Sequence, residues 1–375
     1  MRAGLLGRKL GHSLSPQIHH LFADCDYRLF EREPGEVADF VRGLDLDFLN
    51  VTIPYKQTAA ELCDELTPGA TRLGNVNFVR RDAAGRLIGD NTDAFGFARL
   101  LDSAGVDVAG CRVAVFGAGG AAMTAKAVIE ERGGEVSLVR RGEQPARETE
   151  VIVNATPVGM FPNGDETRVN IADYPDCRAV VDLVYNPSPT KLVREALSLG
   201  KVAVDGMVML IAQAYRAQQL VGGDFRGNLY LYGAPASGKS TWAKRISAAI
   251  GLKLVDLDAE IVRTEGVEIS EIFAKRGEAE FRRLERAALT KVAQDGGQVV
   301  ALGGGALLDP SSRSLAEATG RVVLLDCPKD ELLRRAALSS ARPLFAGDLA
   351  ARLEALLARR QAHYAAFVNR VELMI

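Results

Sequence analysis

The chain has 375 residues, of which 47% are hydrophobic and 25% charged, and its 46 Lys and Arg stand against 48 Asp and Glu for a net charge of −2. At roughly 100–200 residues per domain this length predicts two or three domains, and the composition excludes whole-chain disorder and a coiled-coil rod. With no excess of cations to draw nucleic acid or an anionic membrane, small-molecule chemistry leads.

Five cysteines, Cys25, Cys63, Cys111, Cys177 and Cys327, are odd in number and form no CxxC pair. That argues against a disulfide framework and a zinc site, and fits a cytoplasmic protein. The opening MRAGLLGRKLGHSLSP is broken by Arg8 and Lys9 too soon for a signal peptide. No apolar run reaches the roughly 18 residues of a membrane span.

Over residues 1–100 short apolar runs (AGLLG, YRLF, FLNVTI, NFVR) alternate with helical segments such as Pro16–Ala23 and Glu36–Arg42, which predicts a first α/β domain. A second alternation fills residues 101–204: RVAVF, a glycine turn, helix Ala121–Glu131, EVSLV, EVIVN, AVVDLVY, a helix near Thr190–Leu199, and KVAVDG. These runs read as buried parallel strands. A helical stretch within 205–222 is expected to pack back on the first domain. A glycine-rich linker at 223–227 then leads into a third block, residues 228–375.

In the second block GAGGAA, Gly117 to Ala122, follows a strand and opens a helix. Glycines there permit a tight turn and let a pyrophosphate approach the free N–H groups at the helix start, so Gly117, Ala118, Gly119, Gly120 and Ala121 are expected to hold a dinucleotide in a Rossmann domain. EVSLV ends in Arg140 and Arg141, where an NAD site would carry an acid for the ribose hydroxyls. Two cations suit a 2′-phosphate and favour NADP; the alternative is a solvated strand end.

In the first block GHSLSP places Ser13 and Ser15 before Pro16, with Ser15 expected as the helix N-cap. Two hydroxyls beside free helix N–H groups can also hold a carboxylate. NVTIPYK sets Asn50, Thr52 and Lys56 at or just past a strand end, and GDNTD sets Asp93 in a polar turn ahead of a helix. Lysine and aspartate are often mere solvated surface. As a facing pair they could deliver a proton to an oxygen while a hydride reaches its carbon.

GHSLSP, NVTIPYK, GNVNF, GDNTD, GAGGAA, NATPVGM, DLVYNP and DGMVMLIAQA, in this order, make residues 1–222 resemble shikimate dehydrogenase. The resemblance implies NADPH-dependent reduction of 3-dehydroshikimate with Lys56 and Asp93 as the catalytic pair. It carries Ser13, Ser15, Thr52, Asn77, Asp93, Tyr185 and Gln213 to the substrate. Leu183 and Gly206 join Arg140 and the glycine loop at the cofactor, with Asn154, Thr156 and Met160 in a cofactor-side loop. The short interval between Arg141 and EVIVN predicts a trimmed cofactor sheet.

The third block opens with GAPASGKST after the strand NLYLY, and helix Trp242–Ile250 follows. This is the GxxxxGK[ST] pattern of a phosphate-binding loop. Gly233, Ala236, Ser237, Gly238, Lys239, Ser240 and Thr241 are expected around the phosphates, with Lys239 neutralising charge and Ser240 on magnesium. LVDLDAE puts Asp256 and Asp258 two residues apart, expected on one strand face, one for magnesium and one for a substrate hydroxyl. GEAEFRRLE sets Arg282 and Glu285 at i, i+3, and LGGGALLD exposes backbone at Gly303–Gly305.

These features in order resemble shikimate kinase over residues 228–370. The resemblance assigns Asp258, Arg282, Gly304 and Arg360 to shikimate, Ser240 and Asp256 to magnesium, and Lys239, Arg335 and Arg342 to ATP and the lid. Arg360 lies four residues before Tyr364, and a guanidinium fork suits a carboxylate. The chain ends at Ile375, ahead of the adenine-contacting loop of the resembled family, which implies weak reading of the base.

The expectation is therefore an α/β protein of three domains: an α/β substrate domain, an NADP-binding Rossmann domain and a P-loop kinase domain. It uses NADP(H), ATP and Mg2+ on small-molecule substrates, with neither nucleic acid nor membrane as partner. Alternatives are a dehydrogenase of shikimate or quinate joined to a non-catalytic ATP-binding module, and an inert scaffold.

Overall fold

The computed structural model describes residues 1–11, 13–223, 226–338 and 349–373. The chain divides into two compact units, one made almost entirely of residues 1–223 and the other of residues 224–375.

The first unit contains two sheets. Strands β1 (Arg2–Gly7), β2 (Asp26–Glu31), β3 (Phe48–Val51), β4 (Glu65–Leu66), β5 (Phe78–Arg81) and β6 (Leu87–Asp90) form a mixed sheet in the order β2-β1-β3-β5-β6-β4. β1 is parallel to β2 and β3, whereas β5 is antiparallel to β3 and β6. Helices α1 (Ser15–Phe22), α2 (Val37–Arg42), α3 (Lys56–Leu62) and α4 (Pro68–Leu73) connect them, and α5 (Asp93–Ala104) follows β6. Leu6, Val51, Tyr55 and Val79 lie in one buried cluster, Phe48 and Phe78 in another.

The second sheet is wholly parallel. Strands β7 (Arg112–Phe116), β8 (Glu135–Val139), β9 (Val151–Asn154), β10 (Ala179–Asp182) and β11 (Val202–Val204) run in the order β11-β10-β9-β7-β8. Every residue of β9 and β10 is buried: the apolar runs Val151–Val153 and Ala179–Val181 suit strands covered on both faces, and the terminal Asn154 and Asp182 hydrogen-bond to each other. Helix α6 (Gly120–Glu131) follows the glycine turn, and α7 (Lys191–Ser198) is capped by Thr190, whose hydroxyl accepts from the Val193 N–H. Residues 140–150 join β8 to β9 with neither helix nor strand, so the sheet is trimmed as its spacing predicts. Helix α8 (Met207–Leu220) lies against α5.

The other unit holds the third sheet, also parallel: β12 (Asn228–Tyr232), β13 (Lys253–Asp256), β14 (Gln298–Ala301), β15 (Gly320–Asp326) and β16 (Arg370–Glu372), ordered β13-β14-β12-β15-β16. Around it stand α9 (Lys239–Ile250), α10 (Leu257–Glu265), α11 (Ile269–Gln294), α12 (Pro310–Thr319), α13 (Lys329–Leu338) and α14 (Leu349–Ala365). Gly277, at φ 80°, breaks α11 into two helical pieces. Among the described residues no helix is long and apolar enough to cross a membrane.

Four local expectations are corrected. Helix α1 starts at Ser15, Leu14 is its cap residue and makes no side-chain cap bond, and the Ser13 hydroxyl accepts from the Ser15 N–H at 3.2 Å. Ser15 therefore keeps its hydroxyl for another use. Asp93 is the first residue of α5, after the cap residue Thr92. Helix α9 begins at Lys239, ahead of Trp242. Asp256 and Asp258 do not share a strand face, because β13 ends at Asp256 and Asp258 lies in α10. The Asp256 side chain caps that helix through the Ala259 N–H, which turns the chain before alternation can continue.

Candidate active sites

In the first unit Lys56, at the start of α3, places Nζ 2.5 Å from Asp93 Oδ2. Their side chains are 16% and 4% exposed, so this is no solvated surface pair. Asp93 Oδ1 accepts from Asn77 Nδ2 at 2.8 Å and from Gln213 Nε2 on α8 at 2.8 Å. Asn77 is itself fixed by Thr92, whose N–H reaches Asn77 Oδ1 at 2.7 Å. Asp93 thus meets the ammonium with one oxygen while amides hold the other.

Ser13 and Ser15 share a hydrogen bond of 3.1 Å between hydroxyls. Burial pushes the Tyr185 hydroxyl up, and a hydrogen bond with the Ser13 side chain opposes it. Ser13, Ser15 and Tyr185 form one group of hydroxyls at the start of α1. Thr52 follows β3, with its N–H on the Leu6 carbonyl at 2.9 Å.

The dinucleotide loop has the geometry a pyrophosphate needs. Gly117 has φ 121°, a value only glycine adopts freely, and a Cβ there would lie 3.1 Å from the Ala155 carbonyl oxygen. Gly119 caps α6, so the free N–H groups of Gly120 and Ala121 face the loop. Leu183 and Gly206 touch so closely that a Cβ on Gly206 would fall 2.2 Å from the Leu183 oxygen. Arg140 and Arg141 follow β8 and are exposed. Asn154 ends β9, and Thr156 and Met160 occupy the loop after it, where the Thr156 hydroxyl donates to Asn154 Oδ1 at 2.7 Å.

Sequence reasoning missed what braces this region. Asp182, 1% exposed, accepts from Asn154 Nδ2 at 2.9 Å, the Val184 N–H at 3.0 Å and the Thr190 hydroxyl at 2.7 Å. Burial lifts its carboxyl to about 6 against those bonds. Asn91 was also unassigned: its Oδ1 accepts from the Asp93 N–H at 2.9 Å. Its place in GDNTD, two residues before Asp93, is the only signal the sequence offers.

In the other unit the loop Gly233–Thr241 has Ala236 at φ 65° and Gly238 at φ 88°. Lys239, 8% exposed, donates to the Gly233 and Ala234 carbonyls at 3.0 and 2.8 Å. The Ser237 hydroxyl is buried without a hydrogen-bond partner among the described residues, an orphan that a phosphate oxygen would satisfy. Arg335 donates from Nε to Glu331 at 2.5 Å, while its buried Nη1 and Nη2 likewise find no partner there. Helix α13 brings this arginine near the loop by packing Leu332 and Ala336 with Ala234. The Ser240 hydroxyl donates to Asp256 Oδ2 at 2.6 Å, a pair of oxygens suited to a hydrated magnesium ion. Arg342 lies outside the described residues.

Around Gly303–Gly305 the remaining residues converge. A Cβ on Gly303 would fall 2.5 Å from Glu285 Oε1 and 3.1 Å from Asp258 Oδ1, and one on Gly305 would fall 2.6 Å from Arg282 Nη1. Arg282 and Glu285 pair at 2.6 Å, and burial nonetheless pushes the Glu285 carboxyl up. Arg360 Nη1 reaches the Gly304 oxygen at 2.7 Å, and the Tyr364 hydroxyl the same oxygen at 3.0 Å. The Tyr232 hydroxyl lies 3.3 Å from that oxygen and 3.1 Å from His363 Nε2, a contact with no sequence signal because three distant elements make it.

Comparison with known proteins agrees with both halves. Residues 5–79 match the family described as Shikimate dehydrogenase substrate binding domain, and residues 235–373 match Shikimate kinase. A shikimate dehydrogenase (NADP(+)) of Clostridium perfringens is 33% identical over 250 residues, covering 59% of this chain and 92% of that protein. Among solved structures, shikimate dehydrogenase 1 of Peptoclostridium difficile aligns with a TM-score of 0.55 and 32% identity, over 60% of this chain and 92% of its own. Shikimate 5-dehydrogenase of Thermus thermophilus, in complex with NADP(H) and shikimate, aligns at 0.55 and 31%, over 60% and 94%. With 33% identity across 92% of a relative's length, the chain belongs to the shikimate dehydrogenase family and carries after it a segment that matches shikimate kinase.

Proposed function

We propose that this enzyme is bifunctional: it reduces 3-dehydroshikimate to shikimate with NADPH at one site and phosphorylates shikimate to shikimate 3-phosphate with Mg-ATP at another. The product of the first step is the substrate of the second. The assigned domains are residues 1–100 with the helix of 205–222, residues 101–204, and residues 228–375 after a linker. All five cysteines are free, which suits the cytoplasm.

The observation that carries the reading is the Lys56–Asp93 contact of 2.5 Å in a setting shielded from solvent. Ketone reduction needs a hydride at carbon and a proton at oxygen; bound NADPH supplies the hydride. Lys56 donates the proton from Nζ, and Asp93 orients the ammonium and steadies its charge. Asn77 and Gln213 hold Asp93, while Ser13, Ser15 and Tyr185 receive the carboxylate and Thr52 lies among the substrate contacts.

At the kinase site bound ATP supplies the phosphoryl group. Asp258 accepts the proton of the attacking hydroxyl, and Arg282 and Arg360 hold the carboxylate beside Gly304. Lys239 and Arg335 face the phosphates, and Ser240 and Asp256 hold magnesium through oxygen and water.

The test supplies 3-dehydroshikimate, NADPH and Mg-ATP together and analyses the products. Shikimate 3-phosphate should accumulate. Arrest at shikimate would make the third block a non-catalytic ATP-binding module, and no reduction would overturn the reading at its first step.

A further inference from the structure

The strand-end arginines are not alone. In a Rossmann domain the adenosine ribose sits over the C-terminal end of the second strand, here β8, and Arg140 and Arg141 follow that end in an open turn. A third guanidinium reaches the same place from another loop. Arg168, in the segment between β9 and β10, donates from Nη2 to the Arg140 carbonyl at 3.0 Å. Its Cζ lies 5.5 Å from the ring centroid of Phe116, the buried last residue of β7 just before Gly117.

Those two contacts fix the plane of the guanidinium and use one of its five N–H donors. Arg168 is half-buried. Among the described residues neither it, Arg140 nor Arg141 forms an ion pair with a carboxylate. Glu143, on the same turn, accepts from the Arg140 backbone N–H at 2.7 Å rather than from a guanidinium. A partly desolvated arginine held in place with donors to spare, beside two further cations, is built for an oxyanion. Its position beside the ribose end of the dinucleotide makes that oxyanion a 2′-phosphate.

We propose that Arg168 is a specificity-determining residue for NADP, binding the ribose 2′-phosphate together with Arg140 and Arg141. The inference rests on the cofactor reading given under Proposed function. Its role differs from that of the exposed pair: Arg168 is pre-positioned by Phe116 and the Arg140 carbonyl, so it loses less freedom when the phosphate arrives.

The test titrates the full chain with NADP+ and with NAD+ by calorimetry, without turnover. Arg168→Gln should raise the Kd for NADP+ by about tenfold or more, because a charge-assisted contact is lost, and leave that for NAD+ within about twofold. Arg168→Lys should fall between, keeping the charge but not the fork, and it carries the test if the glutamine variant fails to fold. Equal weakening of both nucleotides makes Arg168 a loop brace and overturns the assignment, as does an unchanged preference for NADP+. A wild-type chain with no preference for NADP+ overturns the cofactor reading beneath it instead.

Discussion

Gln213 Nε2 stands 2.8 Å from Asp93 Oδ1 although the two residues are 120 positions apart in the chain. The contact joins α8 to α5 and leaves Asp93 Oδ2 to Lys56. A helix that follows the second sheet in sequence thereby completes a site whose Lys56 and Asp93 stand at the starts of α3 and α5.

Lys56→Ala should lower the rate of 3-dehydroshikimate reduction by about 10²–10⁴-fold, the usual contribution of a positioned general acid. Kinase turnover should stay near wild type, since Lys56 bonds within the first unit. The two rates measured on one preparation check this. A parallel fall in both, with the melting temperature unchanged, would sink the separation of sites.

Asp182 predicts a pH effect on stability. Its carboxyl is raised from 3.8 to about 6 in the folded chain, so between these values the native state holds a proton that the unfolded state has released. Unfolding free energy therefore falls as pH rises from about 4 to 6, by at most about 3 kcal/mol for a shift of this size, and its contribution is flat above that window. Asp182→Asn keeps an oxygen for the Val184 N–H and should remove this slope. Urea melts of both proteins at pH 4.5 and pH 7 check the sign: wild type should lose more stability than the variant on going to pH 7.

In the kinase half Lys239→Ala should reduce phosphoryl transfer by at least about 10²–10³-fold, as expected when a fixed charge facing the phosphates is removed. Asp258→Asn should spare nucleotide binding and slow transfer. Burst and steady-state measurement of shikimate 3-phosphate, with reduction as internal control, checks both. Unchanged transfer in Asp258→Asn would return this carboxylate to a purely structural place beside Gly303.

Local chemistry was legible in the sequence where it is written in contiguous residues. GAGGAA and GAPASGKST announce their loops because glycine alone tolerates Gly117 at φ 121° and Gly238 at φ 88°. The apolar runs Val151–Val153 of β9 and Ala179–Val181 of β10 announce a parallel sheet. Caps were less legible: Ser15 and Asp93 each entered their helix as its first residue, a shift of one position that no propensity separates. Asp258 looked like a strand residue because alternation has no marker for its own end. Asp182, Arg168 and the Tyr232–His363 contact act across distant elements, so no spacing rule could find them.

Gly206, against Leu183, and Gly305, against Arg282, should behave oppositely when given a methyl group. At Gly206 the added Cβ would meet the Leu183 carbonyl oxygen at 2.2 Å and its carbon at 2.6 Å, both backbone atoms that cannot step aside. Gly206→Ala must therefore displace the loop that carries Leu183 and Tyr185. We expect it to cost about 1–3 kcal/mol of stability, as overpacking does, and to weaken NADPH binding as well. At Gly305 the obstacle is the Arg282 guanidinium, 2.6 Å away at the far end of a flexible side chain. Gly305→Ala should leave the fold stable and move the guanidinium, raising the KM for shikimate while KM for ATP holds. Denaturant melts together with the two kinase KM values distinguish the cases. If Gly305→Ala instead raised the KM for ATP alone, Arg282 would not be the group that receives the shikimate carboxylate.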